Sequence, residues 1–547
     1  MRTLPLLDRA TTLQREVLRS IGISLAMKGA DESANGKIGL HRIQVPAFNL
    51  ARLLSEAAGA EAMARYYGKH EGEFEQRLAV LSVAASVNNL VTALLADPHQ
   101  FGLNDPGVFE EFFSVANHLR THTSAETWVR FGQDVLERDS DYSGLPGLDE
   151  THLEFRGMFA RFADSVIAPV AEKIHRNDSI IPDEILDQLA ELGAFGISIP
   201  QEYGGSFYDH SVMVIATEEL SRGSLGAGGS VLTRPEICAK ALLAGGTEEQ
   251  KNRWLPLIAS GQKMVCIAVT EPNTGSDVAR VSLTAAATEG GYLLNGEKTW
   301  ATFAGRSELL CILARTGSAS DGHRGLSLFL VEKPYDPASD EHHFRYQQDG
   351  GGIIEGHAIP TIGYRGMHSF SVTFENYFVP SENLIGQEGR GFYLQMQGFA
   401  GGRIQTAARA VGVMEAAFRE AISYVKSRKV FGQRLADLAL TQQKIAMMAA
   451  RIQTNRQLAL HVAGLMDQGG GSTEASLVKF LACKDAEWVT REAMQLHGGM
   501  GYSEEYPVSR YFVDARVLSI FEGAEEILGL QVIARPFLEQ FVQPVPA

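Results

Sequence analysis

The pattern of apolar positions changes its period twice along the chain. Apolar residues recur at helical spacing up to about residue 264, alternate with polar residues from 265 to 380, and return to helical spacing after Pro380. We therefore predict four parts: a helical N-terminal extension (1–148), an α-helical domain (149–264), a middle β-sheet domain (265–380) and a C-terminal helical bundle (381–547). The predicted fold class is α+β.

The extension carries no recognisable chemistry, and its spacing is helical almost throughout. Its longest apolar run, 78–96, is interrupted by an asparagine pair and predicts a buried helix rather than a membrane span. The polar segment 139–149, with Ser143-Gly144, predicts a linker. Helices are predicted at 48–67, 72–96, 106–121 and 125–138.

In the second part, the helical pattern is interrupted once. Segment 224–230, SLGAGGS, is too rich in glycine for a stable helix interior, so we expect it to let something bulky approach. Helices are predicted around this break at 153–174, 182–192, 209–223, 234–243 and 247–258.

Alternating positions then predict strands. Asn295-Gly296 is a strong hairpin signal, and the polar segment 335–352 predicts a loop. Within that loop, we interpret His342-His343 as an exposed pair, and we predict no metal site. Strands are expected at 265–269, 280–287, 292–300, 309–315, 325–332 and 369–378, followed by bundle helices at 403–428, 441–468 and 473–496.

Charge and cysteine content narrow the function classes. The formal net charge of −16 argues against a nucleic-acid binder, which usually carries a basic surface. The four cysteines are far apart in sequence and form no CxxC pair, which indicates reduced thiols rather than disulfides or a zinc site. The first residues lack the apolar core of a signal peptide. We therefore expect a cytoplasmic protein without membrane insertion.

Two motifs in the β domain are suited to binding a ligand. The segment after the first strand, TEPNTGSD (270–277), offers hydroxyl groups and backbone N–H groups of the kind that bind an anionic or heteroaromatic ligand, although a polar turn would look the same. In GEKTWAT, Trp300 and Thr302 are two residues apart and so share one face of a strand. They could flank a planar cofactor or be ordinary sheet packing.

A third candidate lies near the C-terminus. Glu522 stands between Phe521 and Gly523, just before a predicted helix. It is either an acid favoured by the helix dipole or a catalytic base. Upstream, Gly498 and Gly499 would allow the backbone to approach a ligand closely.

In this order, the motifs resemble the acyl-CoA dehydrogenase family. The resemblance runs from about Glu150 to Arg535. No GxGxxG motif opens a βαβ unit, which agrees with a family that holds FAD between its β domain and its C-terminal bundle rather than on a Rossmann fold. The motifs are TEPNTGSD, GEKTWAT, SRKVFGQ, QLHGGMGY, EEYPVSR, DAR and FEGAEEI.

The resemblance implies a set of FAD-binding residues. Trp300 would pack on the isoalloxazine and Thr302 would bond its N5. Arg428 and Phe431 would come from a neighbouring subunit to the diphosphate and adenine side. Gln495 to Gly499, again from another subunit, would approach the ADP part. The remaining implied contacts are Ile267, Val269, Thr270, Gly275, Ser276, Leu496, Gly498, Gly499 and Glu525.

The resemblance also implies how the reaction proceeds. Glu522 would remove a proton alpha to a thioester carbonyl while a hydride leaves the beta carbon for the flavin. The Glu522 N–H and a ribityl hydroxyl would bind the enolate oxygen. Ser276, Arg403 and Gly523 would contact the substrate. Some relatives carry the base just before the arginine matching Arg403, but here that position is Gly402, so Glu522 has no competitor.

At three places the chain departs from residues that family members use to contact CoA or FAD. The segment 399–402 lacks the acid that many members place before Arg403, which puts the usual CoA contacts in doubt. Ala439 replaces a glutamine often used on FAD, and Ala524 replaces a threonine after Glu-Gly.

The glycine-rich break and Arg234 fall where family members build the floor of the acyl pocket. A buried arginine there would require an anion. We therefore expect a short branched acyl group with a distal carboxylate anchored by Arg234. Alternatively, Arg234 faces solvent at a helix start.

The implied partners are an acyl-CoA, an electron-transferring flavoprotein as electron acceptor, and further copies of the chain in a dimer or tetramer. The alternatives are a glutaryl- or isobutyryl-type dehydrogenase, an acyl-CoA oxidase, and a DNA-binding flavoprotein of this fold.

Overall fold

The computed structural model describes residues 3–30, 38–103, 109–338 and 340–542. It divides into two compact units, residues 1–153 together with 406–547, and residues 154–405. Both boundaries fall inside helices, α6 (Glu150–Phe162) and α12 (Gly391–Ser427). The α+β fold class is confirmed, whereas the exact bounds of the four predicted parts remain predictions.

The regular elements described in the first unit are helices, one small hairpin and an isolated bridge between Ala30 and Ile38. The extension supplies α1 (Thr3–Gly29), α2 (Gln44–Lys69), α3 (Glu73–Ala96), α4 (Glu110–Arg120) and α5 (Ala125–Glu137). The C-terminal part supplies the second half of α12, the hairpin β10 (Lys429–Val430) and β11 (Gln433–Arg434), α13 (Ala439–Asp467), α14 (Ser472–His497), α15 (Gly499–Tyr502), α16 (Val508–Leu518), α17 (Glu525–Ile527) and α18 (Arg535–Glu539).

The extension shares its core with the bundle helices. A Cβ at Gly132 of α5 would overlap the Gln442 carbonyl of α13, and one at Gly59 of α2 would lie 2.7 Å from Thr454. Such close approach is possible only without a side chain. The extension therefore folds as part of this unit.

Helix α3 is the one described helix that is long and apolar enough to cross a membrane. Its most apolar window is 61% buried within the structure, and the helix packs against α2. This agrees with the prediction of a buried helix for 78–96. The predicted start of the next helix, 106–108, lies outside the described residues, and α4 is helical from Glu110.

The predicted linker 139–149 is bound firmly to the bundle. Ser143 is 2% exposed, and its hydroxyl donates to Glu415 Oε2 at 2.9 Å. Arg456 donates to the same hydroxyl and to Glu415, at 3.0 and 3.1 Å, and Arg419 donates to the other carboxylate oxygen at 2.9 Å. The segment does connect α5 to α6 without regular secondary structure, but buried charges and backbone bonds fix it to the bundle.

Replacing Glu415 with glutamine is expected to lower the free energy of unfolding by about 3 kcal/mol, because Arg456 would lose its buried anion. Burial alone would raise the pKa of Glu415, but the charges of Arg419 and Arg456 hold this pKa well below its ordinary value. The stabilisation is therefore present above the ordinary carboxyl pKa and is lost as pH falls through the folded-state value.

Urea unfolding of both proteins at several pH values would measure this difference, with Glu126→Gln as the control. Glu126 pairs with Arg130 at 2.6 Å on an exposed helix face, so its replacement should change little. Equal effects of the two replacements would contradict the prediction.

The second unit combines helices with one sheet. Its remaining helices are α7 (Ala168–Asn177), α8 (Asp183–Glu191), α9 (His210–Gly223), α10 (Thr233–Gly245) and α11 (Glu248–Ala259), and the sheet order is β6-β7-β8-β3-β2-β4-β5-β9, with β1 beside β4. The strands are β1 (Val265–Ala268), β2 (Thr284–Thr288), β3 (Gly291–Thr302), β4 (Leu309–Arg315), β5 (Leu326–Glu332), β6 (His343–Gln347), β7 (Ile353–Ala358), β8 (Ser369–Pro380) and β9 (Leu384–Ile385).

Several local predictions for this unit were wrong. Asn295-Gly296 is not a hairpin turn but part of a bulge in β3, with Gly296 at φ +134°. The predicted loop 335–352 contains β6, because its residues pair with β7 at the sheet edge. The strand predicted from 280 begins at Thr284, after a 3₁₀ turn. Helix α12 begins at Gly391, twelve residues before the predicted start at Arg403.

Candidate active site

The turn after β1 is shaped by a buried ion pair. Glu271 accepts from Lys298 Nζ at 2.9 Å and from the backbone of Ser282 and Leu283 at 2.7 and 2.8 Å. Lys298 also donates to the Val269 carbonyl at 3.0 Å. Burial lowers the pKa of Lys298 to about 8, against the pull of Glu271. This pair, which the sequence analysis missed, fixes the turn 270–277 against β3.

Trp300 lies in a second bulge of β3, between Lys298 and Ala301, with φ +56°. Bulges often redirect a side chain beside a functional site. Here the bulge leaves the Trp300 side chain 54% exposed, while Thr302 is buried and shares a 2.9 Å hydrogen bond with Ser369. Regular strand alternation, on which the same-face prediction rested, does not hold here.

The other predicted FAD contacts of this unit lie on β1 and its turn. The Thr299 N–H donates to the Thr270 carbonyl at 2.9 Å, which joins the turn to the Trp300 bulge. Gly275 and Ser276 are exposed, and a Cβ at Gly275 would meet nothing within 4 Å. Val269 is buried and Ile267 is half-buried. An open turn with free polar groups beside an exposed indole fits a planar cofactor with polar substituents.

Arg234, on the first turn of α10, is buried. It is 6% exposed and donates to the Ser230 carbonyl at 2.7 Å and to the Tyr364 hydroxyl at 2.9 Å. The alternative of a solvent-facing Arg234 is therefore wrong. Both acceptors are neutral, and within the described part of the chain no carboxylate forms an ion pair with this guanidinium.

The glycine-rich break explains how Tyr364 reaches Arg234. Segment Leu225–Gly229 forms a π-helical turn, and a Cβ at Gly226 would overlap the Arg365 carbonyl. The bulky group that this break admits is therefore the backbone around Tyr364, which has φ +61°. Tyr364 is a site residue that the sequence analysis missed, because nothing in the sequence brings it near residue 234.

Glycines precede Arg403, in and beside the segment 399–402 that lacks the family's acid, and they pack against α10. A Cβ at Gly401 would overlap Glu236 of α10, and one at Gly398 would lie 2.9 Å from Ile237. The glycines therefore let α10 and α12 pack closely. Arg403 itself is half-buried.

In the first unit, Glu522 lies in a turn between α16 and α17. Its backbone is left-handed, with φ +53°, which is unusual for a residue other than glycine. Among the described residues, its buried Oε2 has no hydrogen-bond partner and no group accepts a bond from its N–H. A carboxylate oxygen and an N–H that lack protein partners are the two groups that proton removal and oxyanion binding require.

The residues around Glu522 are held by lysines. Gly523, at φ +100°, accepts from Lys479 Nζ at 2.7 Å. Glu525 pairs with Lys484 at 2.7 Å, and its N–H donates to the Ser519 carbonyl.

The end of α14 presents an open backbone. Gln495, Gly498 and Gly499 are exposed, and a Cβ on either glycine would meet nothing within 4 Å. Leu496 is buried. The neighbouring His497 stacks on Tyr424 with centroids 4.2 Å apart, and burial lowers its pKa.

Two of the predicted inter-subunit residues, Arg428 and Phe431, lie at the β10–β11 hairpin. Phe431 is 98% exposed at its tip, with φ +50°, and Gly432 follows at φ +81°. Arg428, at the base of the hairpin, is exposed.

Two histidine–carboxylate clusters lie near the sheet edge. His343 contacts Glu355 at 2.9 Å across β6 and β7, and His357 contacts the same oxygen at 3.7 Å. Asp178 contacts His368 and His342 at 3.3 and 3.8 Å. Each carboxylate also contacts an arginine, Arg345 at 3.7 Å and Arg365 at 3.2 Å, so ion pairing accounts for both clusters.

Comparison with known proteins gives matches over most of the chain. Family models for the acyl-CoA dehydrogenase N-terminal, middle and C-terminal domains match residues 149–262, 266–377 and 389–537. The (2S)-methylsuccinyl-CoA dehydrogenase of Cereibacter sphaeroides is 44% identical over 398 residues, covering 72% of this chain and 71% of that protein.

Two solved structures extend the likeness to the fold. Butyryl-CoA dehydrogenase from Megasphaera elsdenii is 31% identical with a TM-score of 0.66, over 72% of this chain and 99% of that one. A chain from work on the electron transferring flavoprotein of Acidaminococcus fermentans is 32% identical with a TM-score of 0.64, over 70% and 97%. The chain therefore belongs to the acyl-CoA dehydrogenase family and is an FAD-dependent oxidoreductase.

Proposed function

We propose that this protein dehydrogenates a short branched dicarboxylic acyl-CoA between its alpha and beta carbons. The proposed reaction converts (2S)-methylsuccinyl-CoA to mesaconyl-CoA, which the resemblance assigns to the ethylmalonyl-CoA pathway. Two observations support this substrate: the 44% identity to a (2S)-methylsuccinyl-CoA dehydrogenase, and a buried Arg234 that donates to two neutral acceptors.

Glu522 is the base in this proposal. The observation that carries it is the carboxylate oxygen Oε2, which is buried and lacks a protein partner, next to an N–H that also lacks one. Its carboxylate takes the alpha proton, while its N–H binds the thioester oxygen as negative charge develops there. Bound FAD supplies the hydride acceptor.

Other residues bind and orient FAD and the substrate. Trp300 offers an exposed indole for stacking, Thr302 offers a hydroxyl, and the open turn at Gly275-Ser276 offers polar groups. The Arg234 guanidinium binds the distal carboxylate, because a buried cation gains most from an ionic partner.

A homo-oligomer forms part of the proposal. The 98% exposed Phe431 and the exposed Arg428 support it, since a partner's bound cofactor would cover an aromatic tip and pair with a guanidinium. An electron-transferring flavoprotein is the proposed electron acceptor, supported by the structural likeness to a chain studied with such a protein. Four buried free cysteines support a reducing, cytoplasmic location.

The test is anaerobic addition of CoA thioesters to the FAD-loaded enzyme while its absorbance is followed. Methylsuccinyl-CoA should bleach the flavin fastest, with glutaryl-, isobutyryl- and butyryl-CoA slower. If no thioester bleaches the flavin, the dehydrogenase assignment of this site fails.

The same assay separates the alternatives. Faster bleaching by glutaryl- or isobutyryl-CoA would reassign the substrate, and rapid peroxide formation in air would indicate an oxidase. Retention of duplex DNA on filters at low salt would favour a DNA-binding flavoprotein, which the net charge of −16 disfavours.

A further inference from the structure

The turn that carries Glu522 is held on both sides by buried cations. On its C-terminal side, Lys479 of α14 is 1% exposed and donates to the Gly523 carbonyl at 2.7 Å. On its N-terminal side, Arg409 of α12 is fully buried, with its guanidinium carbon 4.6 Å from the centroid of the Phe521 ring. The two cations come from different helices of the bundle.

The backbone between these contacts is in an unfavourable conformation. Glu522 has φ +53° and Gly523 has φ +100°. A left-handed residue other than glycine persists only where its surroundings impose it. The Phe521 N–H donates to the Val517 carbonyl and the Glu525 N–H to the Ser519 carbonyl, both at 3.1 Å. These bonds attach the ends of the turn, whereas its middle is attached through Gly523.

A buried ammonium and a buried guanidinium are expensive to place in a helical bundle. Well-packed apolar residues of similar volume are often as stable or more so. The contacts of these two cations are directional: Lys479 donates to the Gly523 carbonyl, and Arg409 lies over the Phe521 ring and donates to Thr406 Oγ1 at 2.6 Å. Such contacts fix a local geometry.

We propose that Lys479 and Arg409 are positioning residues, which hold the Phe521–Gly523 turn so that the Glu522 carboxylate and N–H keep their catalytic orientation. This rests on the proposed role of Glu522 as the base. Because both groups belong to one residue, a rotation of the turn displaces the base and the oxyanion donor together. Displacements of about 1 Å can cost about 10²-fold in rate.

The main experiment replaces Lys479 with methionine, which keeps the length of the side chain and removes the donor. We expect kcat to fall by about 10- to 100-fold, while KM changes by no more than about twofold. FAD content and Tm are measured on the same samples. Lys444→Met is the matched control, because Lys444 of α13 pairs with Glu492 of α14 at 2.6 Å in the same bundle and not with a residue of this turn.

A second measurement, hydrogen exchange of acetyl-CoA, follows the removal of the alpha proton alone. Acetyl-CoA has alpha hydrogens but no beta carbon, so the enzyme can exchange its hydrogens with D2O without oxidising it. Glu522 would remove a proton, and a solvent deuteron would return to the same carbon. Mass spectrometry of acetyl-CoA should show exchange by the wild type and Lys444→Met, and exchange slowed in proportion to kcat by Lys479→Met.

If Lys479→Met does not fold, Phe521→Leu tests the other side of the turn. It removes the ring beneath Arg409 while leaving both cations in place, and it should show the same selective fall in kcat and exchange. Unchanged kcat and exchange in whichever variant folds would overturn the proposal. So would a loss of activity that merely follows the loss of bound FAD or folded protein.

Failure of the proposed function looks different. In that case the wild type itself would neither exchange acetyl-CoA hydrogens nor be bleached by any thioester.

Discussion

Replacing Glu522 with glutamine is expected to leave FAD bound and to lower kcat by about 10²- to 10⁴-fold. Glutamine is nearly isosteric and keeps the backbone N–H, so binding of the thioester oxygen should survive. It cannot accept the alpha proton, so the chemical step loses its base. The structure places this carboxylate in a left-handed turn, with one buried oxygen that has no hydrogen-bond partner among the described residues.

The measurement is anaerobic stopped-flow bleaching with methylsuccinyl-CoA, alongside the FAD content of the purified variant. Glu526→Gln is the matched control, because Glu526 is an exposed carboxylate four residues away. Turnover by Glu522→Gln within about tenfold of the wild type would rule out Glu522 as the base.

Replacing Arg234 with methionine is expected to lower kcat/KM for the dicarboxylic thioester by about 30-fold or more, chiefly through KM. Loss of one partner of a buried charge-assisted contact costs about 2–5 kcal/mol, and about 1.4 kcal/mol corresponds to tenfold. Butyryl-CoA has no distal carboxylate, so its kcat/KM should fall little or rise. Comparing the two substrates in one variant separates a loss of carboxylate recognition from a loss of folded protein.

Tyr364→Phe is a milder variant that tests the same contact. It removes the hydroxyl that accepts from Arg234 at 2.9 Å but keeps the guanidinium and the ring. We expect a selective loss for the dicarboxylic substrate of about tenfold, in line with a hydrogen bond to a charged group. An unchanged KM for that substrate in Arg234→Met would exclude Arg234 as the carboxylate anchor.

The sequence by itself determined the class of the fold and the order of its parts. Helical and alternating spacing depend on which residues are buried along one element, and both are visible in a single chain. The motif order determined the family, and the flanking residues Phe521 and Gly523 singled out Glu522. A local signal gave a wrong prediction where strand pairing decided the structure. Asn295-Gly296 is a typical hairpin dipeptide, but it lies in a bulge of β3 opposite β8.

Only the tertiary structure decided which distant residues support these sites. Arg234 and Tyr364 are 130 positions apart, and a π-helical turn of glycines brings the Tyr364 backbone close enough for its hydroxyl to accept from the guanidinium. Ser143, in a segment that looked like a linker, is buried against Glu415. Lys479 reaches the Gly523 carbonyl from another helix. Such contacts depend on how elements pack, and packing is set by long-range shape and charge that no local pattern records.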